Sequence, residues 1–307
     1  MNVSVVIATI NREKELKLCI NSINSQTILP KEIIIVDDGN LNPENIKQVI
    51  ADDIAYKYHR KDKPSLSASR NMGAELAESE LILFLDDDMI LEPNYIEEII
   101  NVFANDKNKE LGGVSGVIVN RKKAPHFLKY WEKVFLHNLG RPGQILPWGF
   151  YSKIDGIDRV IEADWVPGGL SCFRREVFKD FQLYDFEEFN HRGGRHGLAD
   201  IEFCLRINKR YKFAGTPFAK LYHYTPQDSK EKSYRKGYKK AFNHGIIFQK
   251  YSKKTLINIL CFLWAMAGLI LGNLGAVLIV KNRIERKERF NMALGNLAGF
   301  VVFLSRR

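Results

Sequence analysis

Val3–Ala8 is an apolar run broken only by Ser4, the pattern of a strand buried on both faces of a sheet. Leu16, Ile20 and Ile23 then recur at helical spacing through Glu13–Gln26. A second apolar strand, Glu32–Val36, stops abruptly at Asp37-Asp38-Gly39-Asn40. Ala55–His59 reads as a third strand and Ala68–Ala77 as a helix. Leu81–Leu85 is a fourth strand, and it ends on Asp86-Asp87-Asp88. Strands separated by helical segments predict an α/β fold built on a doubly wound, mainly parallel sheet. Ligands of such sheets bind beyond the carboxyl ends of the strands, where both acidic clusters stand.

The alternation weakens after Gly112–Asn120. Pro125 opens an aromatic helix (Phe127, Tyr130, Trp131, Phe135), followed by a loop over Gly140–Gly149. Asp164–Phe173 carries Gly168–Gly169, and a Gly-rich basic loop follows at Arg192–Gly197. A helix is expected from about Asp200 to Arg210, and Phe213–Tyr224 reads as extended. Ser229–Lys254 is basic, aromatic and helical in character.

Beyond it, Thr255–Val280 holds 26 residues without a charge. At about 1.5 Å per residue it exceeds the roughly 30 Å hydrocarbon layer of a bilayer. Phe290–Leu304 is a second apolar stretch of 15 residues, short for a full crossing. Between the two, Lys281–Arg289 carries five basic residues. Two crossings would put that loop on the side opposite a cytoplasmic domain, against the positive-inside tendency. The stretches therefore read as either a shallow hairpin or a span followed by an in-plane segment.

Charge changes the picture once it is located. The net charge of +10 suggests nucleic acid at first sight. Residues 229–307 hold 16 Lys+Arg against 3 Glu, which leaves 30 Lys+Arg against 33 Asp+Glu in residues 1–228. The basic excess thus flanks the apolar tail, where it suits anionic lipid head groups, and no nucleic-acid partner is expected. Cys19, Cys172, Cys204 and Cys261 lie in apolar stretches without zinc-like spacing and read as buried thiols of a reducing compartment. Val3–Thr9 is too short for a signal peptide.

Asp86-Asp87-Asp88 is the strongest sign of chemistry. Three adjacent carboxylates repel one another unless a cation joins them. Hard oxygen ligands on a short turn suit Mg²⁺ or Mn²⁺ shared with substrate phosphates. A solvated acidic turn, or a phosphotransferase Asp-x-Asp motif, are the competing readings. The loop Arg192–Gly197 is suited to closing over a pyrophosphate, with glycines for movement and Arg195 as donor.

Four motifs occur in order: Ser4-Val-Val-Ile-Ala-Thr9-Ile-Asn11-Arg12, Ile33-Ile-Ile-Val-Asp37-Asp38-Gly39-Asn40, Ala68-Ser-Arg70-Asn71-Met-Gly73 and Phe84-Leu-Asp86-Asp87-Asp88. Together they resemble the nucleotide-sugar-binding half of family-two inverting glycosyltransferases with the GT-A fold. Trp165-Val-Pro-Gly168-Gly169-Leu and Asp200-Ile-Glu202-Phe-Cys-Leu-Arg206 resemble the acceptor half. The resemblance spans roughly residues 3–225. It implies a mixed, mainly parallel GT-A sheet followed by C-terminal hydrophobic helices.

The same resemblance implies roles. Thr9, Asn11, Arg12, Asp38, Arg70, Asp87 and Arg195 would bind the donor, Asp38 by accepting from a pyrimidine N–H. Asp88 would coordinate Mg²⁺ or Mn²⁺ directly, with Asp86 on the metal or the ribose and His223 as a further metal or phosphate contact. Trp165, Gly168, Gly169 and Glu202 would face the acceptor. Asp200 would be the general base that takes the acceptor proton, with Glu202 as the competing carboxylate. Ala199 stands where many relatives carry another acidic residue, and Asp200 would otherwise simply cap its helix.

The processive members' Gln-x-x-Arg-Trp motif does not occur, which favours single addition. The expected organisation is a catalytic domain over 1–228 (nucleotide-sugar half 1–120, acceptor half 121–228), a basic juxtamembrane segment over 229–254 and membrane helices over 255–307. The expected substrates are a nucleotide diphospho-sugar, with uridine favoured, and a glycan or lipid-linked acceptor at the cytoplasmic face of the cell membrane. A non-catalytic membrane scaffold and a metal-dependent phosphotransferase are the alternatives.

Overall fold

The computed structural model describes residues 1–121, 126–182, 198–224 and 232–306. The chain divides into two compact units.

The first unit comprises residues 1–122, 154–186 and 199–226 and is built on a mixed sheet. Strands β1 (Val3–Thr9), β2 (Glu32–Asp37), β3 (Ala55–Arg60) and β4 (Leu81–Asp86) run parallel in the order β3-β2-β1-β4. Helices α1 (Glu13–Asn24), α2 (Pro43–Lys47) and α3 (Leu66–Leu76) connect them. Leu16, Cys19, Ile20 and Ile23 of α1 are wholly buried, joining Val5, Ile7, Ile33 and Ile35 in the core. This is the apolar stripe that the sequence spacing predicts.

The sheet continues through the extended segment expected over 213–224, which forms its longest strand, and through short strands that local pattern does not reveal. Strand β8 (Leu170–Arg174) lies antiparallel to β4 and to β6 (Leu111–Ile118). Strand β9 (Lys212–His223) runs parallel to β6 and carries β5 (Met89–Leu91) and β7 (Ile161–Ala163) antiparallel to it. Helix α4 (Tyr95–Asn105) buries Tyr95, Ile96, Ile99 and Phe103, α6 (Val177–Asp180) follows β8, and α7 (Ala199–Ile207) precedes β9.

The second unit holds residues 123–153 together with the C-terminal helices. It contains α5 (His126–Val134), α8 (Ser233–Tyr251), α9 (Leu256–Ile279) and α10 (Arg283–Leu304). This grouping differs from the sequence division, which places 121–228 in one acceptor half. The aromatic residues after α5 pack on α9: Phe135 stacks on Trp264 with ring centroids 4.9 Å apart. The basic tract is helical, as expected, and α8 buries Lys239, Asn243 and His244. Helix α10 starts seven residues before the expected apolar stretch at Phe290, since Asn282 caps it by accepting from the Ile284 and Glu285 N–H groups. Among the described residues α9 is the one helix long and apolar enough to cross a membrane.

Candidate active site

The register of the parallel strands creates the site. Ala8 pairs with Asp86 and Thr9 with Asp37, so β1, β2 and β4 end together and present Thr9, Asp38 and Asp86 at one sheet rim. Thr9 Oγ1 donates to Asp87 Oδ2 at 2.7 Å, and Arg12 Nη1 donates to Asp87 Oδ1 at 2.9 Å. Burial pushes the Asp87 carboxyl up to about 6, against Thr9 and Arg12, while the negative charge of Asp88 adds to the rise.

Asp88 is buried and lies 3.5 Å from Arg12 Nη1. Its Oδ1 is 3.2 Å from His223 Nε2. That hydrogen bond raises the His223 pKa, with burial opposing. The long separation in sequence is closed by the short strand β5, whose Met89 pairs with His223, while the Tyr224 N–H donates to the Asp88 carbonyl at 3.0 Å. From the other side, Asn120 Nδ2 donates to the His223 carbonyl and the His223 N–H donates to Asn120 Oδ1, both at 3.0 Å. The Asn120 side chain thereby extends the β6–β9 ladder by one step beyond Val119.

Asp86 faces a different set of groups. Arg70 Nη2 donates to its Oδ1 at 2.5 Å, and Gly169 abuts its carboxylate. A Cβ at Gly169 would stand 2.1 Å from Asp86 Oδ2 and 2.4 Å from Cγ, so only glycine admits the carboxylate there. The neighbouring Gly168 N–H donates to Asp200 Oδ2 at 3.3 Å, and the Ile201 N–H to Asp200 Oδ1 at 2.9 Å. Burial raises the Asp200 pKa, opposed by those two N–H groups and by the charge of Arg70. The Gly168–Gly169 step therefore touches Asp200 with one residue and Asp86 with the next.

Asp38 is held by a cluster that sequence reading missed. Lys61 Nζ lies 3.0 Å from its Oδ1, the Ser65 N–H donates to Oδ2 at 3.0 Å, and Ser69 Oγ donates at 2.9 Å. The Ser65 N-cap of α3 and the Lys61-Asp62-Lys63-Pro64 turn before it were the available signal. Asn11 adopts a φ of 53° and accepts from the Asn40 N–H through Oδ1 at 3.0 Å, pinning the turn after β2.

Two acceptor expectations change in character. Trp165 is only 6% exposed, which leaves little of the ring to meet a sugar. Glu202 is 3% exposed and pairs with Arg206 at 3.4 Å one turn along α7. Two positions along a helix face different ways, so Asp200 points to Gly168 while Glu202 turns inward. Arg195 lies outside the described residues.

The spacing of the Asp88 and His223 side chains bears on whether they can share a cation. Adjacent ligand atoms on an octahedral ion with bonds of 2.0–2.1 Å stand about 3 Å apart. Asp88 Oδ1 and His223 Nε2, at 3.2 Å, fit such a pair. Among the described residues no group of three or more His, Cys, Asp or Glu side chains is assembled to hold an ion unaided. An ion here would complete its shell with water and substrate oxygens, as Mg²⁺ and Mn²⁺ do at phosphate sites.

Residues 4–181 match the sequence model described as glycosyl transferase family 2. The chain belongs to that family. The glucosyl-dolichyl phosphate glucuronosyltransferase of Haloferax volcanii is 27% identical to this chain over 217 residues, covering 67% of it. The chain spans 63% of that relative's length. The solved mannosyltransferase PcManGT of Pyrobaculum calidifontis, in complex with GDP-Man and Mn²⁺, superimposes with a TM-score of 0.62 at 15% identity, covering 100% of this chain and 88% of that one. S. aureus TarS 1–349 in complex with UDP-GlcNAc gives a TM-score of 0.56 at 15% identity, over 99% and 91% of the two chains. The family member thus has the GT-A fold with an added C-terminal apolar helix.

Proposed function

We propose that this protein transfers a sugar, with inversion, from a nucleotide diphospho-sugar to a hydroxyl of a glycan or lipid-linked acceptor, at a membrane surface facing the cytoplasm. The observation that carries this reading is one unbroken chain of contacts along the sheet rim. The Asp38 N–H donates to the Thr9 carbonyl at 2.8 Å, Thr9 and Arg12 hold Asp87, Arg12 reaches Asp88, and Asp88 meets His223. Through Arg70 and Gly169 the same rim reaches Asp86 and then Asp200. A plain acidic turn has no need of this convergence.

Asp88 and His223 would hold the divalent cation together with substrate oxygens, and the ion would neutralise the charge gathering on the departing diphosphate. Arg12 and Arg70 keep cationic donors beside the same carboxylates, where they suit phosphate oxygens. Asp38, braced by Lys61 and Ser69, would set the position of the nucleobase. Asp200 would accept the acceptor hydroxyl proton as that oxygen bonds to the anomeric carbon. The bond to the diphosphate breaks on the opposite face, so the configuration inverts. Its raised pKa suits a base that must bind a proton in the transition state. The absent Gln-x-x-Arg-Trp motif supports one addition per encounter.

The reading is tested by thermal unfolding of the detergent-solubilised chain with Mn²⁺ and a panel of uridine, guanosine and thymidine diphospho-sugars. At a ligand concentration a hundred times Kd, the true donor adds about 2.7 kcal/mol of stability. A uridine donor is expected to raise the midpoint and to release its nucleotide diphosphate only when Mn²⁺ or Mg²⁺ is supplied. No shift and no release across the panel would leave a scaffold.

A further inference from the structure

We infer that the helical unit docks in the plane of an anionic membrane from one side and does not thread α9 across the bilayer; this rests on the membrane attachment proposed above. Length and apolarity alone would let α9 cross. Its neighbours within the same unit oppose it.

The middle of α9 is fastened to a charged segment. Trp131 Nε1 donates to the Gly268 carbonyl at 3.2 Å, His137 Nε2 lies 2.6 Å from the Ala265 carbonyl, and Trp264 Nε1 donates to the Val134 carbonyl at 2.8 Å. That segment includes Lys129, Glu132 and Lys133 of α5. Any depth reached by the centre of α9 is therefore reached by those charges too.

Helix α8 adds to the constraint. It runs parallel to α10 with backbones in near contact: a Cβ at Gly237 would stand 2.2 Å from the Met292 carbonyl oxygen, and one at Gly299 would stand 2.2 Å from that of Tyr238. Further along, Gly245 meets the Phe303 ring. Helix α9 runs antiparallel to α10, with Asn296 Nδ2 donating to the Leu269 carbonyl at 2.9 Å and Phe262 packed edge-on to Phe303. Residues 262–269, 237–245 and 296–303 thus occupy one level of the bundle, and α8 brings Lys236, Lys239 and Lys240 to it. A hydrocarbon layer around that level would have to accept all of them.

Both ends of α9 are basic, with Lys253–Lys254 before it and Lys281 and Arg283 after it. A crossing sends one cluster to the outer surface, whereas an in-plane helix keeps both at one layer of anionic head groups. The exposed residues fit the second arrangement. On α9, Leu256, Leu260, Leu263, Leu271, Leu274 and Leu278 are exposed at helical spacing, forming one stripe. On α10, Phe290, Leu294, Leu297, Val301 and Leu304 do the same, with exposed Lys287 leading the row. Such stripes embed at the boundary of head groups and acyl chains, while Phe262, Ala265, Met266 and Leu269 of α9 and Ala293, Asn296 and Gly299 of α10 turn into the bundle.

The test uses the full chain carrying Cys261→Ser, in which the remaining native cysteines are buried, with either Lys253→Cys or Lys281→Cys added. Each protein is added to preformed, sealed vesicles of phosphatidylglycerol and phosphatidylcholine, floated, and treated with a membrane-impermeant maleimide. Both cysteines are expected to react from outside, with less than a two-fold gain when detergent opens the vesicles. Vesicles of phosphatidylcholine alone are expected to bind at least ten-fold less protein. A floated protein in which one of the two cysteines reacts only after opening would overturn in-plane docking while leaving attachment intact. Protein that never floats would remove the attachment as well.

Discussion

Asp88→Ala is expected to lower kcat/KM for sugar transfer by roughly a thousand-fold or more, a loss of about 4 kcal/mol of transition-state stabilisation. The size follows from position. Asp88 is 8% exposed and stands between Arg12 and His223, so no neighbouring carboxylate can swing into its place. Asp87 is already committed to Thr9 and Arg12, and Asp86 to Arg70 and the wall formed by Gly169. Removing Asp88 also leaves His223 without the carboxylate that raises its pKa. Steady-state rates over a Mn²⁺ titration measure the effect, and excess metal is expected to recover little of the loss. A variant that keeps full activity at ordinary Mn²⁺ would mean that the cation sits elsewhere.

Asp200→Asn separates catalysis from folding. The substitution is expected to cut kcat by about 10²- to 10⁴-fold, the usual contribution of a positioned general base. The KM for donor is expected to stay nearly constant, because Asp200 touches the Gly168 and Ile201 amides rather than the nucleotide-side residues. Stability moves the other way. Burial raises the Asp200 pKa in the folded chain above its unfolded value. Its contribution to stability is then complete below the unfolded pKa and falls as pH rises through the folded pKa. Where the pH exceeds the folded pKa, the ionised and half-buried carboxylate is a cost that asparagine removes, so there the variant is expected to melt at the same temperature or higher. Were Asp200 only a helix cap, asparagine would cap as well and activity would be unchanged. In the parent enzyme the acid limb of the pH–rate profile is expected above the ordinary aspartate range of about 3.9, since the base works only when ionised.

The parallel half of the fold was legible because β1, β2 and β4 are largely apolar runs that end on polar turn residues. Asp38 and Asp86 could be placed at a common rim from that pattern alone, since parallel strands with helical crossovers have only one carboxyl edge. Other features depend on long-range pairing. Strand β5 is three residues long and exists only because β9 lies beside it, yet it brings His223 to Asp88. No local signal in Met89-Ile90-Leu91 predicts that. The bracing of His223 by Asn120, 103 positions away, is likewise invisible to periodicity. Glu202 and Trp165 show the converse: their residue types suit an acceptor site, but burial assigns them to the interior. In the C-terminal unit the helical character of the basic tract was legible but its packing was not, since glycines at 237, 295 and 299 let α8 and α10 close into a bundle.

The most direct measurement is anomalous diffraction from crystals of the chain grown with Mn²⁺ and uridine diphosphate. One manganese peak is predicted within bonding distance of Asp88 and His223, with the diphosphate on its open side and the base near Asp38. A peak remote from Asp88, or a nucleotide bound away from the rim shared by Asp38, Asp86 and Asp200, would contradict the account.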